Sequence, residues 1–94
     1  MTKTTTVRIY KKAIEKWGNP SQLLMVMEEL AELIQAISHL LRNKYKAKSK
    51  VIEELADVEI MCEQLRIMIN EDEKIDKVKE EKLNRLSGLL QEKE

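Results

Sequence analysis

The sequence feature that most constrains the fold is an acidic motif that the chain contains twice. The first copy reads E-E-L-A-E over residues 28–32, and the second reads E-E-L-A-D over residues 53–57. The midpoint between them falls near Asn43, inside a basic stretch with the composition of a turn. A helical hairpin folded at this point brings the two motifs to the same height on facing helices. We therefore predict a helical hairpin as the centre of the fold.

Each motif places two carboxylates side by side on its helix. Residues three apart share a face, which pairs Glu29 with Glu32 and Glu54 with Asp57. Like charges at this spacing destabilise a helix, and neither helix has a lysine or arginine in the apolar stretch around its motif, so we expect the charge to be offset from outside. Isolated acidic pairs are usually solvated surface, but four carboxylates at one height form an all-oxygen site. Such a site suits Mg²⁺ or Mn²⁺ better than zinc or copper.

Together the two motifs resemble the E-E-x-x-E … E-x-x-D signature of the MazG-like, all-α nucleoside triphosphate pyrophosphohydrolases. The similarity extends from about Trp17 to about Leu90. The resemblance implies a Mg²⁺-dependent enzyme that cleaves a nucleoside triphosphate to the monophosphate and pyrophosphate, with its site built in a homodimer or tetramer. Phosphoribosyl-ATP pyrophosphohydrolases share this architecture, so an enzyme of that type is an alternative.

Two further classes of protein compete with this reading. A di-iron carboxylate bundle needs E-x-x-H pairs on its helices, and neither acidic motif contains a histidine. A non-enzymatic module that dimerises or binds a partner helix would have the same apolar helices. Only the acidic motifs separate that module from an enzyme.

Composition predicts one all-α domain over residues 1–94. The chain is 43% hydrophobic and 36% charged, as globular proteins are, and its two glycines and one proline leave little turn material for a sheet. A formal net charge of zero gives no general attraction to nucleic acid or anionic membranes. No apolar run approaches the ~20 residues of a membrane span. The single cysteine, Cys62, is a predicted core thiol, and with no signal peptide we expect a cytoplasmic protein.

The first two helices are predicted from apolar spacing and from their capping residues. Residues 1–6 are polar and expected to be frayed, and the first helix then runs to about Gly18. Asn19 is the predicted N-cap of a second helix that runs to about Arg42. Glu29 lies on the border of this helix's apolar arc, which predicts a half-buried carboxylate. The arc consists of Leu23, Met27, Leu30, Ile34, Ile37 and Leu41.

A basic loop over residues 42–50 separates the two hairpin helices and could attract a metal-bound triphosphate. Ser49 is the predicted N-cap of the third helix, which ends near Ile69 and is apolar nearly all round, as buried helices are. Asp72 or Asp76 caps a last helix. Because one facing helix cannot cover the third helix, we predict a homodimer or a dimer of dimers that pairs hairpins into a four-helix core.

Several residues outside the four predicted metal ligands are candidates for catalysis or substrate binding. Glu28 or Glu53 is the spare carboxylate that could orient the attacking water. Trp17 could stack on a nucleobase, or it could close the core where the first helix ends. Gln22, one heptad before Glu29, could read a base edge. His39 could touch the metal site or simply face solvent.

Phosphate contacts need cations, and the last helix supplies a row of them. Lys82 and Arg85 are three residues apart and share a face, and Lys79 extends the row. Their K-L-N-R setting also resembles the basic patch that follows the second acidic motif in the MazG-like family. An arginine there could grip phosphate oxygens bidentately. The alternatives are a solvated face paired with Glu81 or phosphate contacts made by the basic loop.

Overall fold

Four α-helices make up the part of the chain that the computed structural model describes, which is residues 1–43 and 48–91. They are α1 (Lys3–Trp17), α2 (Asn19–Asn43), α3 (Lys48–Ile69) and α4 (Asp72–Gln91), and these ranges contain no strand. The predicted all-α class is confirmed. None of the described helices is both long and apolar enough to cross a membrane.

Helices α2 and α3 form the hairpin, and the other two helices pack around it. Among the described residues, the interface between α2 and α3 is the most extensive; the backbone of α1 approaches both helices, and the backbone of α4 approaches that of α3. Three of the buried side chains of the hairpin are polar. The buried residues are Gln22, Val26 and Ala36 on α2, and Glu54, Val58, Met61 and Gln64 on α3. The hairpin interior is therefore narrow and partly polar.

Helix α1 begins earlier than its apolar pattern predicts. Thr2 is its N-cap, because the Thr2 Oγ1 accepts a hydrogen bond from the Thr5 N–H at 3.1 Å. The Thr6 hydroxyl adds a second bond, donated to the Thr2 carbonyl. The prediction that residues 1–6 are frayed is therefore wrong from Lys3 onward, since threonines satisfy the end of the helix.

Gly18 ends α1 and starts α2. Its N–H donates to the Ile14 carbonyl at 2.8 Å, and its own carbonyl accepts from the Gln22 N–H at 3.1 Å. Its φ of +84° is one that L side chains rarely adopt, which is why a glycine is needed here. Asn19 is consequently the first residue of α2 and not its N-cap, while Pro20 lies in the first turn as predicted.

Helix α3 also begins earlier than predicted. It starts at Lys48, so Ser49 lies inside the helix and not at its N-cap. Lys48 therefore belongs to a helix, although the sequence placed it in a basic loop, and Lys50 is the third residue of the helix and not about its first, as predicted. The remaining part of that predicted loop, residues 44–47, lies outside the described residues.

Arg66, near the end of α3, forms ion pairs with two aspartates in the first turns of α4. Asn70 adopts a positive φ of 56°, and α4 starts two residues later at Asp72. The Arg66 guanidinium donates to Asp72 Oδ1 at 3.0 Å and to Asp76 Oδ1 at 2.6 Å. Asp72 is thus the first residue of α4 and not its N-cap, and Asp76 is an ion-pair partner, so neither residue has the predicted capping role.

The predicted apolar arc of α2 lies on the outside of the hairpin. All six of its residues are exposed, with Ile34 at 68% and Leu41 at 78%. Helix α3 is likewise not covered by its own chain, since Ile52 is 61% exposed. Helix α4 has no buried residue. The interior of the hairpin takes the smaller Val26 and Ala36 instead, and the large side chains remain uncovered.

The whole chain is correspondingly open. Its accessible surface is 8084 Å², whereas a compact monomer of its 11.0 kDa mass exposes about 5,600 Å². Its radius of gyration is 16.6 Å, against about 12 Å for a compact domain of this length. A single chain therefore leaves apolar surface that a compact monomer of this size would bury.

Candidate metal centre

Three carboxylates from the two acidic motifs converge at the interface of α2 and α3. One oxygen from each of Glu29, Glu54 and Asp57 lies within 4.8 Å of the other two. Glu54 is 2% exposed, and Glu29 and Asp57 are partly buried, as predicted for Glu29. Glu32 is exposed and lies beside Glu54. We call these four residues the acidic cluster.

A pocket of about 260 Å³ opens beside the acidic cluster. Glu32 and Glu54 form one part of its wall, and Gln35 and His39 of α2 form another. Lys50, in the first turn of α3, also lines it. Solvent and small ligands therefore have a route to the otherwise buried Glu54.

The carboxyl groups of the cluster repel one another. Burial raises the pKa of Glu29, and the charges of Glu32, Asp57 and Glu54 raise it further. The pKa of Glu32 is also raised, first because its carboxyl shares a hydrogen bond with Glu54 and then because the Glu54 charge is close. A cation bound among these oxygens would relieve that repulsion.

Lys50 offsets one of these charges from within the same helix. Its Nζ lies 2.9 Å from Glu54 Oε1, four residues along α3. This ion pair lowers the pKa of Glu54 even though burial acts in the opposite direction. The expectation that all the charge is offset from outside the helices is therefore wrong for Glu54.

The acidic cluster fits a hard divalent cation by its chemistry and its unused oxygens. Among the described residues, no hydrogen-bond partner reaches the buried Oε2 atoms of Glu29 and Glu54. Such oxygens are costly to leave unpaired. Glu29, Glu54 and Asp57, whose oxygens lie within 4.8 Å of one another, would hold such a cation once their side chains draw closer together.

The two spare carboxylates lie outside this arrangement. Glu28 and Glu53 are exposed, and neither belongs to the converging group or lines the pocket. The charge of Glu53 does act on Lys50, whose pKa is raised first by Glu54 and then by Glu53. Both residues are thus on the rim of the site.

The two residues proposed to contact a base occupy different environments. Trp17 is 56% exposed at the end of α1, with Lys16 Nζ 5.3 Å from its ring centroid. It does not close a core in the single chain. Gln22 is 5% exposed inside the hairpin and does not line the pocket.

The cations of α4 are separate from the acidic cluster within one chain. Lys82 and Arg85 are exposed, and they do not line the pocket beside the cluster. Lys79 lines a different groove. Within the described residues, Lys82 and Arg85 are therefore not among the side chains that reach the pocket beside the acidic cluster.

That second groove, of about 840 Å³, lies between α1, α3 and α4. Residues on α3 advance by about 100° each, so Glu63 lies on a different face from Glu54. The Tyr10 hydroxyl donates to Glu63, which raises the pKa of Tyr10 to about 12. Cys62 lines the groove and is partly exposed, so its predicted place in the core is wrong.

Sequence reasoning missed two polar residues of the hairpin. Lys50 was detectable, because it precedes Glu54 by four residues and this spacing joins opposite charges on a helix. Gln64 is 6% exposed, and its Oε1 has no partner among the described residues. Nothing in the pattern distinguished Gln64 from a solvent-facing glutamine.

Comparison with known protein families, curated proteins and solved structures finds no match to this chain. The family resemblance therefore rests on the two acidic motifs themselves.

Proposed function

We propose that the protein is a metal-dependent nucleotide pyrophosphohydrolase that cleaves a nucleoside triphosphate to the monophosphate and pyrophosphate. The observation that supports it most is the convergence of Glu29, Glu54 and Asp57, from both motifs, at one half-buried point. Buried carboxylate oxygens without a hydrogen-bond partner are costly, and a bound cation would offset that cost. The motif resemblance supplies the reaction.

The roles of the residues follow from their burial and position. Glu29, Glu32, Glu54 and Asp57 supply the oxygens for Mg²⁺, or for Mn²⁺ in its place. When bound, the ion would offset phosphate charge and lower the pKa of a water molecule. Glu28 and Glu53 are the exposed carboxylates next to these ligands, so they are the candidates to orient the attacking water. The pocket lined by Gln35 and His39 leaves room for phosphate groups.

A homo-oligomer belongs to the same proposal. The exposed apolar residues of α2 alternate at spacings of four and three along the helix, as in the contact seam of a coiled coil. Two such seams facing each other would pair two hairpins into a four-helix core. The seam consists of Leu23, Met27, Leu30, Ile34, Ile37 and Leu41.

One alternative function is favoured by that same exposed seam. A non-enzymatic module would use it to bind a partner helix, and it would not need the acidic cluster. A phosphoribosyl-ATP pyrophosphohydrolase would use both the seam and the cluster, but on a different nucleotide.

The test is a panel of nucleotides incubated with Mg²⁺ and scored for pyrophosphate release. The panel contains canonical and modified nucleoside triphosphates and phosphoribosyl-ATP. We expect release from at least one of them, loss of that release in Asp57→Asn, and retention in Glu59→Gln, which makes the matched change two residues further along α3. No release from any nucleotide would favour the binding module.

A further inference from the structure

Lys50 has an unusual position for a lysine next to a metal site. Its Nζ contacts Glu54 Oε1 at 2.9 Å, which is one of the two oxygens that Glu54 can offer to a cation. An ammonium group and a divalent cation cannot both hold that oxygen without strong repulsion. The contact between Lys50 and Glu54 is therefore incompatible with a divalent cation on the same oxygen.

The two ends of the ion pair differ in mobility. The Glu54 side chain is 3% exposed and fixed inside the hairpin, whereas the Lys50 side chain is 56% exposed on a flexible four-carbon stem. Glu54 also keeps a buried Oε2 with no partner among the described residues. Glu54 can thus bind a cation, because the exposed Lys50 side chain can rotate out of contact with it.

The pocket beside the acidic cluster offers space in which the Lys50 ammonium could contact a bound phosphate. Lys50 lines the same 260 Å³ space as Gln35, His39 and the two glutamates of the cluster. Phosphate groups held by a metal at the cluster would fill that space and present negative oxygens to the ammonium. Lysine binds phosphate as a mobile point charge, which suits a group that has to change partners.

We infer that Lys50 is an exchangeable counter-ion, which holds Glu54 when no divalent cation is bound and transfers to substrate phosphate when one is. This inference rests on the proposed function and adds to it a residue that couples metal binding to phosphate binding. In the metal-free state Lys50 competes with the metal, and in the substrate complex it assists binding. Removing the charge of Lys50 must therefore strengthen the binding of the metal ion alone and weaken the binding of phosphate to the metal-loaded protein.

The experiment compares wild type with Lys50→Met, which keeps the length of the side chain and removes its charge. Lys48→Met is the matched control, because Lys48 lies in the same turn and forms no ion pair among the described residues. Calorimetric titration with Mn²⁺ alone should show binding to Lys50→Met tighter by about threefold to tenfold, the effect expected for one removed competing contact. Titration of the Mn²⁺-loaded protein with Mn²⁺–pyrophosphate should show weaker binding by a similar factor. The melting temperature without metal should fall.

Each result decides between the inference and the proposed function. Equal Mn²⁺ affinities for wild type and Lys50→Met would overturn the inference alone, as would pyrophosphate binding that does not weaken. A wild type that binds no Mn²⁺ would overturn the proposed function, and the inference with it. If Lys50→Met does not fold, Lys50→Gln applies the same test, since it removes the charge but can still donate a hydrogen bond to Glu54.

Discussion

Glu29 is a partly buried carboxyl whose charged form is disfavoured by its surroundings. Its pKa is raised above the ordinary value of 4.5, first by burial and then by the charges of Glu32, Asp57 and Glu54. The folded chain therefore holds this proton more tightly than the unfolded chain. The stability associated with Glu29 is fully present below pH 4.5 and is lost as pH rises through the raised value.

Neutralising Glu29 is expected to separate stability from function. In EDTA at pH 7, Glu29→Gln should melt at a higher temperature than wild type, because the cost of ionising a buried carboxyl disappears. With Mg²⁺ or Mn²⁺ added, the variant should gain less than wild type, because it has lost a metal ligand. Differential scanning calorimetry with and without the ion measures both effects.

The matched control is Glu28→Gln, at the exposed neighbouring position. It should melt near wild type in EDTA and keep the response to the ion. A Glu29→Gln variant that is less stable than wild type in EDTA would contradict the account that burial and neighbouring charges penalise the ionised Glu29 carboxylate.

At this scale the sequence predicted that Glu29, Glu54 and Asp57 lie close together, but it misread their counter-charge. Helical spacing was enough to place Glu29 opposite Asp57, because the hairpin register follows from the two motif positions. The same spacing rule linked Lys50 to Glu54, but Lys50 lay at the predicted end of the helix, and the search for counter-charges covered only the apolar stretch after it. The burial of Gln64 depends on tertiary packing, which no local pattern encodes.

Among the elements, α4 is the helix with the fewest internal attachments. In the part of the chain that the structure describes, its backbone approaches only that of α3, and Arg66 binds its first turns through Asp72 and Asp76. Its exposed cations Lys82 and Arg85 do not line the pocket beside the acidic cluster of their own chain. We therefore expect them to contribute to phosphate binding only in an assembled oligomer.

Removing those cations should reduce turnover and leave metal binding intact. Arg85→Ala is expected to lower kcat/KM by about tenfold or more, the loss typical of a charged hydrogen bond to phosphate, and Lys82→Ala by less. The metal-induced rise in melting temperature and the mass in solution should not change. Steady-state pyrophosphate release on the best substrate measures the effect.

Lys77→Ala is the control, because Lys77 lies on the same helix and outside the row formed by Lys82 and Arg85. If both alanine variants retain wild-type turnover, the phosphate contacts lie instead in the basic segment over residues 42–50.

Helix boundaries were predictable where a residue has one conformational role. Gly18 and Pro20 marked the junction of α1 and α2 to within one residue, because a positive φ and a missing N–H leave few alternatives. The starts of α1 and α3 were predicted too late. Threonine and lysine are compatible with a helix or a loop, so hydrogen bonds such as the one at Thr2 decided the outcome.

At the scale of the whole molecule, one chain leaves an excess of exposed surface. The difference between 8084 Å² and the compact-monomer value is about 2,500 Å² per chain, within the range of obligate homodimer interfaces. The seam on α2 provides a contact face with the spacing that helix pairing requires. The sequence predicted this arc but not that it faces outward, because periodicity does not distinguish packing within a chain from packing between chains.

We expect light scattering to give a mass that is a multiple of 11.0 kDa at micromolar concentration. Ile34→Glu should reduce the mass, since Ile34 lies in the seam and is 68% exposed in the single chain. Thr4→Glu adds the same charge at an exposed position on α1 and should leave the mass unchanged. A wild-type mass of one chain would contradict the proposed assembly.

The central claim is that carboxylates from both acidic motifs bind one kind of divalent cation together. The most direct measurement is a calorimetric titration of the metal-free protein with Mn²⁺ and Mg²⁺, in wild type, Glu54→Gln and Glu53→Gln. The two variants make the same chemical change at adjacent positions. Glu54 is 2% exposed and belongs to the acidic cluster, whereas Glu53 is exposed and lies outside it. We predict binding to wild type and Glu53→Gln, and affinity weakened at least tenfold in Glu54→Gln, a ratio that corresponds to about 1.4 kcal/mol. Equal affinities in all three proteins, or no binding to wild type, would contradict the account.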